Sequence, residues 1–166
     1  CQPDSGCSIP LDVFLVLDGS GSISEDQWKN VVTASIDLAE LLCISPDGNH
    51  LGIIQFANKA LVEVSLSGNK DKVLNTLDNI IQKESATNTQ AGLDLANDDC
   101  SNARDGTARV VILITDGKHT RPVKSGLPSG QYLKEAEMCG AAIYSIGVGN
   151  YDIPELRNIA GPCCTK

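Results

Sequence analysis

Asp18-Gly19-Ser20-Gly21-Ser22 sets one carboxylate and two hydroxyls at alternate positions of a tight turn. The intervening glycines let the backbone bend through conformations that a Cβ would obstruct. Three oxygen side chains can then converge on one point, a donor set suited to a hard cation such as Mg²⁺, with Mn²⁺ as a substitute. Alone, the pentapeptide reads equally well as a Gly/Ser turn with an acid near a helix start. Two further segments shift that balance: Thr87 in Ser85-Ala86-Thr87-Asn88-Thr89, and Asp116 in Ile114-Thr115-Asp116-Gly117. After Asp116 come Lys118, His119, Arg121 and Lys124 in an otherwise acidic chain. These read either as a solvated loop or as a basic rim that attracts acidic or sulfated ligands.

The elements that must position these residues alternate between strand and helix. Leu11 to Leu17 is an apolar strand, with Asp12 placed near its entry. Ile23 to Cys43 is a long helix opened by N-cap chemistry at Ser24, with Trp28, Val31, Val32, Ser35, Leu38, Ala39 and Leu42 on one face. Leu51 to Phe56 is a second strand with His50 solvated at its mouth. Asn58-Lys59 predicts a two-residue hairpin into an edge strand, Ala60 to Leu66, with Glu63 outward. Asn69 to Ile81 is an amphipathic helix whose apolar side holds Val73, Leu74, Leu77, Ile80 and Ile81, and Thr89 to Cys100 is another helix. Arg109 to Thr115 and Ala141 to Val148 are strands, whereas Gln131 to Cys139 and Ile153 to Ala160 are short helices.

This alternation predicts an α/β fold, a doubly wound and mostly parallel sheet with one antiparallel edge strand and helices on both faces. Ligands of such sheets bind at the carboxyl ends of the strands, at the topological switch point. There the first strand delivers Asp18 beside Asp116 of the fourth, and the loop carrying Thr87 opens onto the same rim.

Composition narrows the possibilities. The 166 residues are 42% hydrophobic and carry a formal charge of −8, which fits one globular domain and argues against a nucleic-acid binder. No apolar run approaches a membrane-spanning length. Residues 1–10 read as a cysteine-containing extension, 11–160 as the domain and 161–166 as a cysteine-containing tail. A chain that opens on Cys1 without a signal peptide reads as a processed or excised segment. Seven cysteines suggest an oxidising compartment. Disulfides are favoured over zinc, because no C-x-x-C pair occurs and His50 and His119 lie far from the close pairs Cys1/Cys7 and Cys163/Cys164. The odd count leaves one thiol for a partner chain or for sequence elsewhere.

The sequence resembles a von Willebrand factor A domain of the integrin I-domain type from Leu11 to about Ala160. The resemblance rests on Asp18-Gly19-Ser20-Gly21-Ser22, on Thr87 in Ala-Thr-Asn-Thr and on Asp116 in Ile-Thr-Asp-Gly. It extends to Leu51–Phe56 and to Tyr144-Ser145-Ile146-Gly147-Val148-Gly149. It implies a metal-ion-dependent adhesion site (MIDAS). Ser20 and Ser22 would bind Mg²⁺ directly, Asp18 and Asp116 through water or directly, and Thr87 in either way. Neutral hydroxyls leave the ion under-neutralised, so that an acidic side chain of a partner can complete its octahedron.

The resemblance thus implies adhesion and no enzyme activity. Mg²⁺-dependent phosphoryl transfer would call for a second carboxylate where Ser20 stands. It also implies a further strand and a long terminal helix after Val148; the sequence either stops short of them or replaces them with its cysteine cluster. By the same topology Cys43, Cys100 and Cys139 end up opposite the metal rim with Cys1, Cys7, Cys163 and Cys164, and Cys100 with Cys139 is a candidate pair. Bracketing by cysteines is similar to apicomplexan surface adhesins of the thrombospondin-related anonymous protein type. That would imply a micronemal protein used in gliding motility and host-cell invasion, with a protein or sulfated glycan on host cell or matrix as partner. The alternative is a structural matrix A domain like those of matrilins and collagens. Either places the chain outside the cell or at its surface.

Overall fold

The computed structural model describes residues 9–117 and 139–160. Among them lie five strands, β1 (Leu11–Asp18), β2 (His50–Phe56), β3 (Ala60–Ser67), β4 (Ala108–Thr115) and β5 (Ala142–Gly147). The helices are α1 (Glu25–Leu41), α2 (Lys70–Asn79), α3 (Thr89–Asp99) and α4 (Ile153–Ala160), with a 3₁₀ turn at Cys100–Asn102. The sheet runs β3-β2-β1-β4-β5, parallel throughout except for the β2–β3 pair. The doubly wound fold expected from the sequence is present.

β1 is central because it is apolar on both faces. Val13, Leu15 and Leu17 pack with Trp28, Val31 and Ala39 of α1 and with Val73 and Leu77 of α2. Phe14 and Val16 face the other layer, where Leu93 and Ala96 of α3 and Ile159 of α4 close the core. Burial on both sides is what a central parallel strand requires. The α3 layer sits close: a Cβ at Gly92 would lie 2.7 Å from the Phe56 ring. α1 begins with a reciprocal capping box, Ser24 N–H donating to Gln27 Oε1 at 2.9 Å and Gln27 N–H to Ser24 Oγ at 3.3 Å.

Several local expectations are corrected. The β2–β3 link has three residues, not two, since Phe56 pairs with Ala60. Ala57 is buried, donates to the Lys59 carbonyl at 2.9 Å and accepts from Asn88 N–H at 2.8 Å, which draws it out of the strand. Glu63 does not face open solvent: its side chain is 17% exposed and stands 3.5 Å from Lys83 Nζ. Ile81 leaves the apolar face of α2 and is 77% exposed. The helix has ended at Asn79, and the Ile81 carbonyl turns inward to accept from Gln55 Nε2 at 3.1 Å.

The pole opposite the carboxyl ends of the strands is fastened by polar and covalent contacts. Asp12 is the second residue of β1, near the strand's entry as expected, and is fully buried there. Its carboxylate accepts from Arg104 Nε at 2.9 Å, Nη2 at 2.7 Å and backbone N–H at 2.7 Å. Cys100, at the end of α3, is joined to Cys139, just before β5, with Cα atoms 6.3 Å apart. Cys43, after α1, is also disulfide-bonded. All three cysteines lie at this pole. Cys1, Cys7, Cys163, Cys164, Lys118, His119, Arg121, Lys124 and the body of the helix expected at 131–139 lie outside the described residues.

Arg104→Met strands the Asp12 carboxylate in the core and should cost about 3 kcal/mol in urea unfolding. Cys100→Ser with Cys139→Ser opens a closure of 39 residues. It should lower stability by about 4 kcal/mol on the loop-entropy account. A loss below about 1 kcal/mol in either would show that the pole is held by packing alone.

Candidate metal centre

Parallel pairing of β1 with β4, Leu17 opposite Ile114, brings the ends of both strands side by side. Asp18 sits at this seam. Its Oδ2 accepts from Thr115 Oγ1 at 2.6 Å and its Oδ1 from Ser20 N–H at 2.9 Å. The second contact pulls the chain into the turn that aims Ser20 back over Asp18. Ser20 and Ser22 then meet, their Oγ atoms 3.0 Å apart. Ser20 is buried and Ser22 exposed, so the hydroxyl pair runs from the interior to the surface.

Asp116 follows Thr115 directly. Gly117, at φ +70°, turns the chain away, and its N–H donates to Thr115 Oγ1 at 3.0 Å. The left-handed conformation favours glycine there, and Asp152 of the β5–α4 loop separately crowds the position, its carbonyl oxygen 3.1 Å from where a Cβ would stand. Asp152 N–H donates to the Asp116 carbonyl at 2.9 Å. Asp18 and Asp116 are 1% and 2% exposed. Burial pushes the Asp18 carboxyl above its ordinary range and the neighbouring charge of Asp116 adds to this, while the hydrogen bonds from Ser20 and Thr115 act in the opposite direction.

Thr87, also buried, arrives on the segment between α2 and α3. That segment is bonded to the β1–α1 turn, Glu84 N–H to the Gly19 carbonyl at 2.9 Å and Gly21 N–H to the Ser85 carbonyl at 2.9 Å. Asn88 caps α3 and anchors the segment to Ala57. The structure therefore gathers Asp18, Ser20 and Ser22 in direct contact or through one another, with Asp116 close enough for its charge to act on Asp18 and Thr87 on the α2–α3 segment alongside. Sequence reasoning missed Thr115, which orients Asp18; its place before Asp116 at the end of a strand was the available signal. It also missed Gln55 and Gln82, polar residues in otherwise apolar or unstructured surroundings.

The chemistry fits a hard divalent cation. Every donor is oxygen, and two buried carboxylates side by side repel each other in a way that a cation relieves. Among the described residues no cluster of three or more His, Cys, Asp or Glu could hold a metal. A cation here would rest on two carboxylates and hydroxyls, with low ligand charge.

Comparison with known proteins agrees with this geometry. The von Willebrand factor type A domain model matches residues 12–163. Cuticlin-6 of Caenorhabditis elegans is 34% identical over 155 residues, 91% of this chain and 26% of that protein. The collagen alpha-4(VI) chain of Mus musculus is 30% identical over 152 residues, 90% of this chain and 6% of that one. The chain thus spans about a quarter or less of these relatives. Proximal thread matrix protein 1 from the mussel byssus, solved with a zinc-occupied MIDAS motif, shares the fold at TM-score 0.75 and 21% identity, over 93% of this chain and 42% of that one.

The raised Asp18 carboxyl fixes the sign of a stability effect. The folded state holds the proton more tightly than the unfolded one, so ionised Asp18 costs stability at neutral pH, and the cost disappears as pH falls below 3.8. Metal-free Asp18→Asn should therefore melt at or above wild type at pH 7, with the gap closing in acid. Added Mg²⁺ should raise the wild-type melting temperature and leave the variant unmoved. A metal-free variant that melts well below wild type would mean that the carboxylate's hydrogen bonds outweigh its burial.

Proposed function

The chain belongs to the von Willebrand factor type A domain family, and from that premise we propose that it is an extracellular matrix module that binds protein ligands through a Mg²⁺ held by Asp18, Ser20, Ser22, Thr87 and Asp116. The observation that carries this reading is the seam where Asp18, oriented by Thr115, turns the Ser20 and Ser22 hydroxyls toward a common point. A cation held mainly by neutral hydroxyls stays electrophilic toward an outside carboxylate, so the acidic side chain of a matrix protein is the natural sixth ligand. Disulfides at the far pole fit an oxidising location.

The relatives favour a matrix role over a parasite adhesin. A cuticlin and a collagen chain are structural extracellular proteins. The narrower resemblance to apicomplexan adhesins, with gliding motility, host-cell invasion and a micronemal location, draws no support from them. Binding without turnover is the reading for the site itself, because Ser20 occupies the place where phosphoryl transfer would want a second carboxylate or a general acid. A basic contribution from Lys118, His119, Arg121 and Lys124 toward sulfated glycans, and an intermolecular role for the odd cysteine, belong to the same proposal.

Isothermal titration should show one Mg²⁺ or Mn²⁺ per chain, weakened about tenfold or more by Ser20→Ala with Ser22→Ala. On a peptide array, Glu-containing sequences should bind in Mg²⁺ and release in EDTA, while their Gln counterparts bind in neither. Absence of cation uptake would leave a purely structural matrix domain; cation uptake with binding indifferent to EDTA would remove the metal from recognition.

A further inference from the structure

The hydroxyl turn is fixed from outside by side chains that play no part in coordinating anything. Gln82 Nε2 donates to two of the turn's carbonyls, Ser20 at 3.0 Å and Ile23 at 2.8 Å. One residue back, the Ile81 carbonyl accepts from Nε2 of Gln55, whose buried side chain lies under Gly19, its Cδ 3.0 Å from where a Cβ would stand. Two residues on, the backbone bonds Glu84 N–H to Gly19 and Gly21 N–H to Ser85 complete the stitching. Glu84 adopts φ +47° to make them, a left-handed conformation that a residue with a side chain holds only when its surroundings over-determine it. Between Gly19 and Ile23, Gln82 therefore spans the turn that carries Ser20 and Ser22, and it does so from the segment that carries Thr87.

We infer that Gln82 is a positioning residue for the cation site, one that sets the Ser20–Ser22 turn and the Thr87 segment in a single register before any cation arrives. This rests on the metal reading above. Hydroxyls bind a divalent ion only as well as their geometry allows, because they bring no charge, and residues that orient ligands typically govern affinity by about 10- to 100-fold. A donor amide facing two carbonyls is specific to Gln or Asn; Met of similar length would leave both carbonyls without it.

The test uses the disulfide-intact chain with Gln82→Met and, as a second variant, Gln82→Asn, which keeps the donor but is one methylene short. Hydrogen exchange in the metal-free state reports the register directly. The Gly21 and Glu84 amides should exchange about tenfold faster in Q82M while β1 amides keep wild-type protection. Calorimetry should show Mg²⁺ binding weakened about tenfold in Q82M, with Q82N between the two. Wild-type exchange and wild-type affinity in both variants would overturn this inference alone. Faster exchange with unchanged affinity would reduce Gln82 to a loop staple and likewise overturn it. A wild-type chain that takes up no Mg²⁺ would overturn the metal reading itself and this inference with it.

Discussion

A carboxylate buried where two parallel strands end is the constraint to which the rest of this molecule answers. Asp18 cannot reach water, so its two oxygens must be satisfied by the protein, and Thr115 and the Ser20 backbone do so. Those two contacts dictate the turn that follows β1 and the spacing of β1 from the Asp116 turn. With Asp116 buried next to it, the pair carries an electrostatic cost that hydrogen bonding alone does not remove. The fold tolerates that cost because both strands are locked in a core packed on each face. A site with surplus negative potential and an exposed hydroxyl at its mouth is the result.

The two poles divide the labour. Catalogued by chemistry, the rim has oxygen donors, tight turns and a strained Glu84, whereas the opposite pole has the Asp12–Arg104 pair and the disulfide from Cys100 to Cys139. Strain at the rim is sustainable only if the sheet beneath does not shift, and the far pole fixes the starts of β1 and β5. Arg104 is only partly buried, which lets its guanidinium keep some hydration while it neutralises a fully buried partner. A buried pair placed there selects one register for the strand that delivers Asp18.

Much of this was legible in the sequence because it rests on period and type. The apolar runs at 11–17 and 109–115 could only be buried strands, and parallel order then brings Asp18 and Asp116 together. Helix ends were read to within a residue or two where caps exist, as at Ser24 and Asn69. What escaped depends on tertiary partners. The position of Asp12 near the start of β1 was legible, but its complete burial was not, because its partner, Arg104, is 92 residues away. Ile81 looked like core because nothing local shows that α2 stops at Asn79 and that Gln55 claims the next carbonyl. The third residue of the β2–β3 link was invisible for the same reason, since Ala57 is held by Asn88 from α3's cap.

For the cation site proposed here, affinity for an outside carboxylate and rigidity of the Gly19–Ile23 turn would be two faces of one requirement. A cation surrounded by protein carboxylates would be neutralised and indifferent to a ligand. One surrounded by hydroxyls keeps its pull but is held weakly, because each hydroxyl contributes only a dipole. Weak donors can compensate only through geometry fixed in advance, so that no ordering cost is met when the ion binds. That explains why the turn from Gly19 to Ile23 has so many of its carbonyls and amides engaged by Phe56, Gln82, Glu84 and Ser85. It also explains why two long amides, Gln55 and Gln82, stand behind the site while Ser22 stays open to solvent in front of it. The preorganisation of neutral ligands, more than their number, is what would let such a module grip its ion and still offer it to a partner.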